Sequence, residues 1–198
     1  MKTFYRRKLP HWHPESASIF LTWRLFGSLP SPASFATSQK DSGRAFVEID
    51  RLLDRAVQGP HWLRDPRLAG LVANALEQGD RVQRRYDLIA YVVMSNHVHA
   101  LLSPIAELPI ITRAIKGTTA RRANRILNRT GQPFWQHESF DHWVRNDFER
   151  RRIIGYIEAN PATAGLVKRE QDWPWSSATR WRNRFEEAPD FPSPTPSG

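Results

Sequence analysis

Hydrophobic and polar positions along the chain fall into short runs of strand character and longer runs of helical period. Ser18 to Phe26 (SIFLTWRLF) is dense in β-branched and aromatic residues and predicts a strand. Arg44 to Val57 places Phe46, Ile49, Leu52, Leu53 and Val57 at helical spacing, and a shorter helix is expected over Arg67 to Glu77. Tyr86 to Met94 (YDLIAYVVM) predicts a strand, Ser95-Asn96 a turn, and His97 to Leu102 (HVHALL) the returning strand. A long helix follows over Leu108 to Asn128, with Ile111, Ile115, Ile126 and Leu127 available to a core. Phe134 to Val144 predicts a strand and Asp147 to Ala159 a last helix, opened by Asn146 and Glu149 in a capping-box spacing.

The order β-α(α)-β-β-α-β-α is that of an α+β, ferredoxin-like split βαβ fold with an elaborated first crossover. It predicts a central antiparallel sheet with helices on one face. Leu29 to Ser42 carries prolines and serines and is expected to form a loop; the Pro/Ser-rich stretch 186–198 is expected to be a disordered tail. The reading is thus one domain over 1–185, since 198 residues suffice for one core and hardly for two.

Composition changes this picture in two ways. A net charge of +9 and a pI near 10.6 favour a polyanionic partner, nucleic acid first and an anionic membrane surface second. The absence of cysteine excludes disulfides, thiolate zinc sites and cysteine nucleophiles. The basic start of the chain leads into no apolar signal core, which predicts a cytoplasmic protein without a membrane association.

Two features carry candidate chemistry. His97 and His99 are two apart on a strand, so their side chains share a face while Val98 points to the other. Neutral imidazoles on one face can share a cation. Spacing alone more often marks two ordinary polar residues. On the last helix Arg152, Tyr156 and Asn160 are four apart and form one ridge. Tyr156 could supply a nucleophilic oxygen, Asn160 a neutral oxygen ligand and Arg152 a phosphate contact; a tyrosine beside an apolar stripe is more often simply half-buried. Pro161 predicts that the helix ends or bends at Asn160.

Basic residues supply a candidate DNA surface: Arg6 and Arg7 near the N-terminus, then Arg113, Lys116, Arg121, Arg125 and Arg129 on the long helix, the last three expected on one ridge. Trp173 and Trp175 are read as core, and Arg180, Arg182 and Arg184 add further charge.

Taken together, three segments bear a family resemblance. Val93-Met-Ser-Asn-His-Val-His-Ala-Leu-Leu102 resembles the metal strand of single-tyrosine HUH transposases, with Ser95 where relatives often have proline. Phe134-Trp-Gln-His-Glu-Ser-Phe-Asp-His-Trp-Val-Arg-Asn146 resembles the strand before their catalytic helix. Gly155-Tyr-Ile-Glu-Ala-Asn-Pro-Ala-Thr-Ala-Gly-Leu-Val167, followed by Asp172-Trp-Pro-Trp-Ser-Ser177, is similar to the branch called REP-associated tyrosine transposases. The resemblance implies a magnesium or manganese ion held by His97, His99 and Asn160. It implies attack by Tyr156 on single-stranded DNA at palindromic hairpins, leaving a 5′-phosphotyrosine link and a free 3′-hydroxyl. No small-molecule cofactor is expected, and a monomer or a homodimer would serve. Two alternatives stay open: a domesticated hairpin-binding protein that no longer cuts, and a metal hydrolase that uses water.

Overall fold

The computed structural model describes residues 17–29, 51–54 and 59–179. All but Leu29 of the expected loop at 29–42, most of the expected helix at 44–57 and the tail lie outside the described residues; positions 51–54 are helical.

Four strands form one antiparallel sheet: β1 (Ile19–Arg24), β2 (Tyr86–Val93), β3 (His97–Pro104) and β4 (Phe140–Trp143), in the order β2-β3-β1-β4. That is the order the split βαβ arrangement requires. Helices α1 (Pro66–Arg81) and α2 (Leu108–Ile126) pack on one face, and α3 (Asp147–Thr163) on the other. The expectation of helices on one face is corrected by α3. Met94, Leu101, Val92 and Phe20 give the second face its own small apolar cluster, which Ile157 of α3 covers.

Strand alternation sorts the residues. On β1, Ile19, Leu21, Trp23 and Leu25 enter the larger core under α1 and α2, while Phe20, Thr22 and Arg24 face the α3 side. On β3, Val98, Ala100 and Leu102 go to the first core, and His97, His99 and Leu101 to the α3 side. β2 would mismatch if it were regular. A bulge between Leu88 and Ala90 inverts its alternation, so Tyr86 and Leu88 before it, and Tyr91 and Val93 after it, all reach the first core.

Two further departures from the expected pattern have physical causes. The strand expected over Phe134 to Val144 is split. Trp135 bridges Leu25, the Gln136 N–H donates to the Arg24 carbonyl, and pairing resumes only at Phe140 opposite Thr22. The intervening loop is held by Lys116, whose ammonium donates to the Gln136 and His137 carbonyls and to Ser139 Oγ at 2.8, 2.9 and 3.1 Å. The last helix does not stop at Asn160. It runs through Pro161 to Thr163 and closes where Gly165 adopts φ 72° and the Leu166 N–H reaches back to the Pro161 carbonyl. Proline removes one helical bond, to the Ile157 carbonyl, so close to the end that the glycine cap decides the terminus.

The segment after α3 fastens that helix to the sheet. Trp173 Nε1 donates to the Val93 carbonyl, and the Val93 N–H donates to the Trp175 carbonyl. Trp173 packs on the α3-side cluster and Trp175 on the other core, against Gly70. Ser177 Oγ donates to Glu158 of α3 (2.9 Å) and accepts from the Tyr91 N–H (3.2 Å). The Asp172–Ser177 motif is therefore a clamp between the β2 edge and the tyrosine helix.

Candidate active site

His97 and His99 are both fully buried. Their Nε2 atoms stand 3.1 Å apart. Each ring is held from behind. Asn96 Nδ2 donates to the Leu53 carbonyl (2.9 Å), which turns Asn96 Oδ1 towards His97 Nδ1 at 2.7 Å. An amide oxygen only accepts, so His97 carries a proton on Nδ1, and in the neutral ring its Nε2 lone pair faces His99. His99 Nδ1 lies 2.7 Å from Thr22 Oγ1, a partner that accepts or donates. One proton on His99 Nε2 satisfies the pair; a cation between the two nitrogens does so as well.

The fit to a cation is direct. Two ligands bonded at about 2.1 Å and at right angles stand about 3.0 Å apart. Ring nitrogens fixed by hydrogen bonds on their far sides are the usual form of a metal-ligating histidine. No trio of His, Cys, Asp or Glu among the described residues forms a compact ligand set. A cation held by the two histidines would need its further ligands to be of another type. Asn160 is 3% exposed, and its Oδ1 is shielded from solvent.

Tyr156 reaches the same place from α3. Its ring meets His99 edge-on at 5.6 Å between centroids and Phe20 at 6.2 Å, and Phe20 stacks on His99 at 5.6 Å. Phe20 thus spaces the tyrosine from the sheet. The ridge Arg152, Tyr156, Asn160 grades from exposed through half-buried to buried, so it descends into the site as expected. At the start of α3, Asn146 Oδ1 accepts from the Glu149 N–H (2.9 Å), while Glu149 binds the Arg145 N–H (2.7 Å) and His142 Nε2 (2.9 Å). The capping box is displaced by one residue. Burial opposes the charge of Glu149, but the Arg145 N–H and His142 outweigh it and hold the carboxyl below its usual range.

The basic residues divide. Arg113, Arg121 and Arg125 are exposed on α2, on the opposite side of the sheet from the histidines. Arg129 does not continue their ridge: α2 ends at Ile126, Asn128 turns with φ 54°, and the Arg129 guanidinium lies 4.3 Å from the Trp62 ring centre. Lys116 has all three donors engaged within the chain, which removes it from the expected DNA surface. Arg152 is exposed on the side of the site itself. Arg6, Arg7, Arg180, Arg182 and Arg184 lie outside the described residues.

Two residues near the site escaped the motif reading. Arg24 stands directly opposite His97 in the sheet register; burial lowers its pKa and Glu138 partly offsets that. Strand parity alone would have found it. Asp54 places Oδ1 3.9 Å from His97 Nε2. It comes from the first crossover, where no motif marks it.

Residues 75–160 match the family model described as "Transposase IS200 like". This segment is similar to the IS200-like transposases. The REP-associated tyrosine transposase of Escherichia coli K12 is 28% identical over 98 residues, covering 49% of this chain and 57% of that one. A Haemophilus influenzae chain named provisionally for the same transposases is 26% identical over 110 residues, 48% of this chain and 60% of that one. The alignments thus span somewhat over half the length of these relatives. Among solved structures, a REP-associated tyrosine transposase bound to a REP hairpin aligns over 100% of this chain and 95% of its own, with a TM-score of 0.56 at 17% identity, which supports the fold. The family drawn from the motifs is borne out, and the matched segment contains His97, His99, Tyr156 and Asn160. Among the described residues no helix is long and apolar enough to cross a membrane.

Proposed function

We propose that this protein is a metal-dependent transposase that cuts and rejoins single-stranded hairpin DNA through Tyr156. The observation that carries the reading is the meeting of His97, His99 and Tyr156, from a strand and a distant helix, on one face of the sheet. The E. coli and H. influenzae relatives support a tyrosine transposase by name, and the solved relative bound to a REP hairpin supports hairpin DNA as the substrate class.

In this reading the phenolic oxygen of Tyr156 attacks the scissile phosphorus. An O–P bond to the 5′-phosphate forms, the P–O3′ bond breaks, and the departing 3′-oxygen gains the proton that the phenol gives up. The link conserves the phosphodiester energy, so the reverse attack by a 3′-hydroxyl rejoins a strand. His97, His99 and Asn160 would hold a magnesium or manganese ion. When bound, such an ion polarises the phosphate and stabilises charge on its oxygens. Phe20 and the Ser177–Glu158 clamp keep the tyrosine in place, and Arg152 and Arg24 supply positive charge on the same side for phosphate contact. The α2 arginines form a second, remote surface, reached only by DNA that passes around a sheet edge.

Labelled single-stranded hairpin DNA is incubated with the protein and Mg²⁺ or Mn²⁺ and run on a denaturing gel. A covalent adduct is expected, lost in Tyr156→Phe and weakened or lost in His97→Ala. An adduct that survives Tyr156→Phe overturns the nucleophile. Cleavage without an adduct supports hydrolysis by water, and tight binding without cleavage supports a hairpin-binding protein.

A further inference from the structure

Arg129 is held differently from the arginines of α2. Its guanidinium lies 4.3 Å from the Trp62 ring centre, and Trp62 stacks on Phe134 with centroids 5.4 Å apart and planes at 20°. Phe134 is buried in the first core, so the ladder has a fixed base. The loop that carries Arg129 is fixed as well. Its N–H donates to the Asn124 carbonyl (2.7 Å), and Asn124 Nδ2 donates to the Gln132 carbonyl (2.7 Å). A long, rotatable side chain is thus ordered before any partner arrives, which removes much of the entropy that binding would cost. Stacking engages only the face of the guanidinium and leaves its edge of donors. Among the described residues no acceptor takes a bond from that edge, and Nε is shielded from solvent without one. The residue as a whole is only half-buried.

The ladder stands at the end of the sheet where the histidine strand begins. The Leu63 N–H, next to Trp62, donates to the carbonyl of Ser95, two residues before His97. The Phe26 N–H donates to the Phe134 carbonyl, two residues beyond Arg24, which pairs with His97. The ladder packs on the α1 and α2 side, whereas His97 and Arg24 face the α3 side. Arg129 also follows the end of α2, where Arg121 and Arg125 are exposed. It therefore lies between the site and the α2 arginines.

We propose that Arg129, set on the Trp62–Phe134 ladder, binds a backbone phosphate of the DNA away from the cut, where the strand passes around this end of the sheet from the histidine site towards α2. This role rests on the hairpin-cutting reading above and extends it, since it gives the remote α2 arginines a path to the same DNA. A guanidinium edge binds phosphate oxygens whatever the base, so the contact positions the DNA without selecting a sequence.

The test is binding of the full-length chain to fluorescent hairpin DNA with single-stranded extensions on both sides, read by anisotropy without added metal. Arg129→Gln should weaken binding by about tenfold, the scale of one charge-assisted contact. Its salt slope should be shallower by about one. Phosphates of the DNA are then replaced one at a time by neutral methylphosphonates. At least one replacement away from the scissile phosphate should weaken the unmutated chain and leave Arg129→Gln unaffected. Unchanged affinity and slope in Arg129→Gln mean that the guanidinium only covers Trp62, and the proposal falls; a covalent adduct at Tyr156 would still uphold the reading above. Weaker binding in which every replacement affects the variant as it does the unmutated chain also overturns the proposal, because the loss is then indirect. If the unmutated chain binds no hairpin DNA, both readings fall. Should Arg129→Gln not fold, the unmutated chain with ¹⁵N-labelled arginine decides: the Nε–H resonance of Arg129 must move when hairpin DNA is added, and a resonance that stays in place overturns the proposal.

Discussion

The two faces of the sheet are built by the same strands and hold opposite contents. Under α1 and α2 lies an apolar interior: Leu21, Trp23, Val98, Ala100 and Leu102 meet Leu68, Val72, Leu76, Ile111 and Ile115. Under α3 lie buried polar groups: Thr22, His97, His99 and Asn160, with a thin apolar cluster around Phe20 and Ile157. Neighbouring residues on one strand thus face an apolar core and a polar site in turn. Burying imidazoles and an amide is costly unless each is bonded. The first face can bear that cost because it does not depend on the second for its packing.

Stability should separate the faces most sharply. Leu102→Ala, in the first core, should cost about 2–5 kcal/mol in denaturant unfolding. His99→Ala, one face away on the same strand, removes the bonds to Thr22 and to His97 and should cost about 2 kcal/mol. It should nonetheless lower DNA cutting at least about a hundredfold, the scale of losing one electrostatic stabiliser at a reacting centre. Equal destabilisation by the two would erase the distinction.

Next in size is the clamp that joins the faces. Ser177→Ala leaves the Tyr91 N–H and Glu158 without that hydroxyl and should cost about 1–3 kcal/mol by thermal unfolding. It should also slow adduct formation, because α3 loses a fixed point. Unchanged cutting would show that the tyrosine is positioned by packing alone.

Glu149→Gln should cost about 1 kcal/mol near neutral pH, the scale of a helix cap. The folded carboxyl is held below its usual range, so its contribution is complete above the ordinary glutamate pKa and fades as pH falls through the depressed value. The cost should therefore vanish in acid, and a cost independent of pH would contradict the assignment. The smallest effect on stability, within about 0.5 kcal/mol, is expected for Arg121→Ala with Arg125→Ala on the exposed side of α2. Hairpin binding should then show a salt slope shallower by about one for each phosphate that an arginine no longer neutralises. An unchanged slope would remove α2 from the DNA surface.

Much of this was legible in the chain. Strand alternation put His97 and His99 on one face and Val98 on the other, and helical spacing put Tyr156 and Asn160 on one ridge. Three features were not. The inversion of β2 depends on a bulge that no local residue announces, since Leu88, Ile89 and Ala90 all suit a strand. The extent of α3 turned on two competing signals, Pro161 and Gly165, and the cap won because proline so near the terminus costs only one bond. Asp54 and Lys116 depend on long-range packing: one joins the first crossover to β3, the other a helix to a split strand. Charge alone placed Lys116 with the arginines, although its position at the loop gave it internal acceptors.

The central claim is that Tyr156 carries the DNA. Digestion of the protein after reaction with single-stranded hairpin DNA, followed by mass spectrometry, reads it directly. The account predicts a peptide spanning Tyr156 that bears a 5′-phosphonucleotide on that side chain, with a free 3′-hydroxyl on the other DNA product. A nucleotide on a different residue, or cut DNA with every tyrosine peptide unmodified, would contradict it.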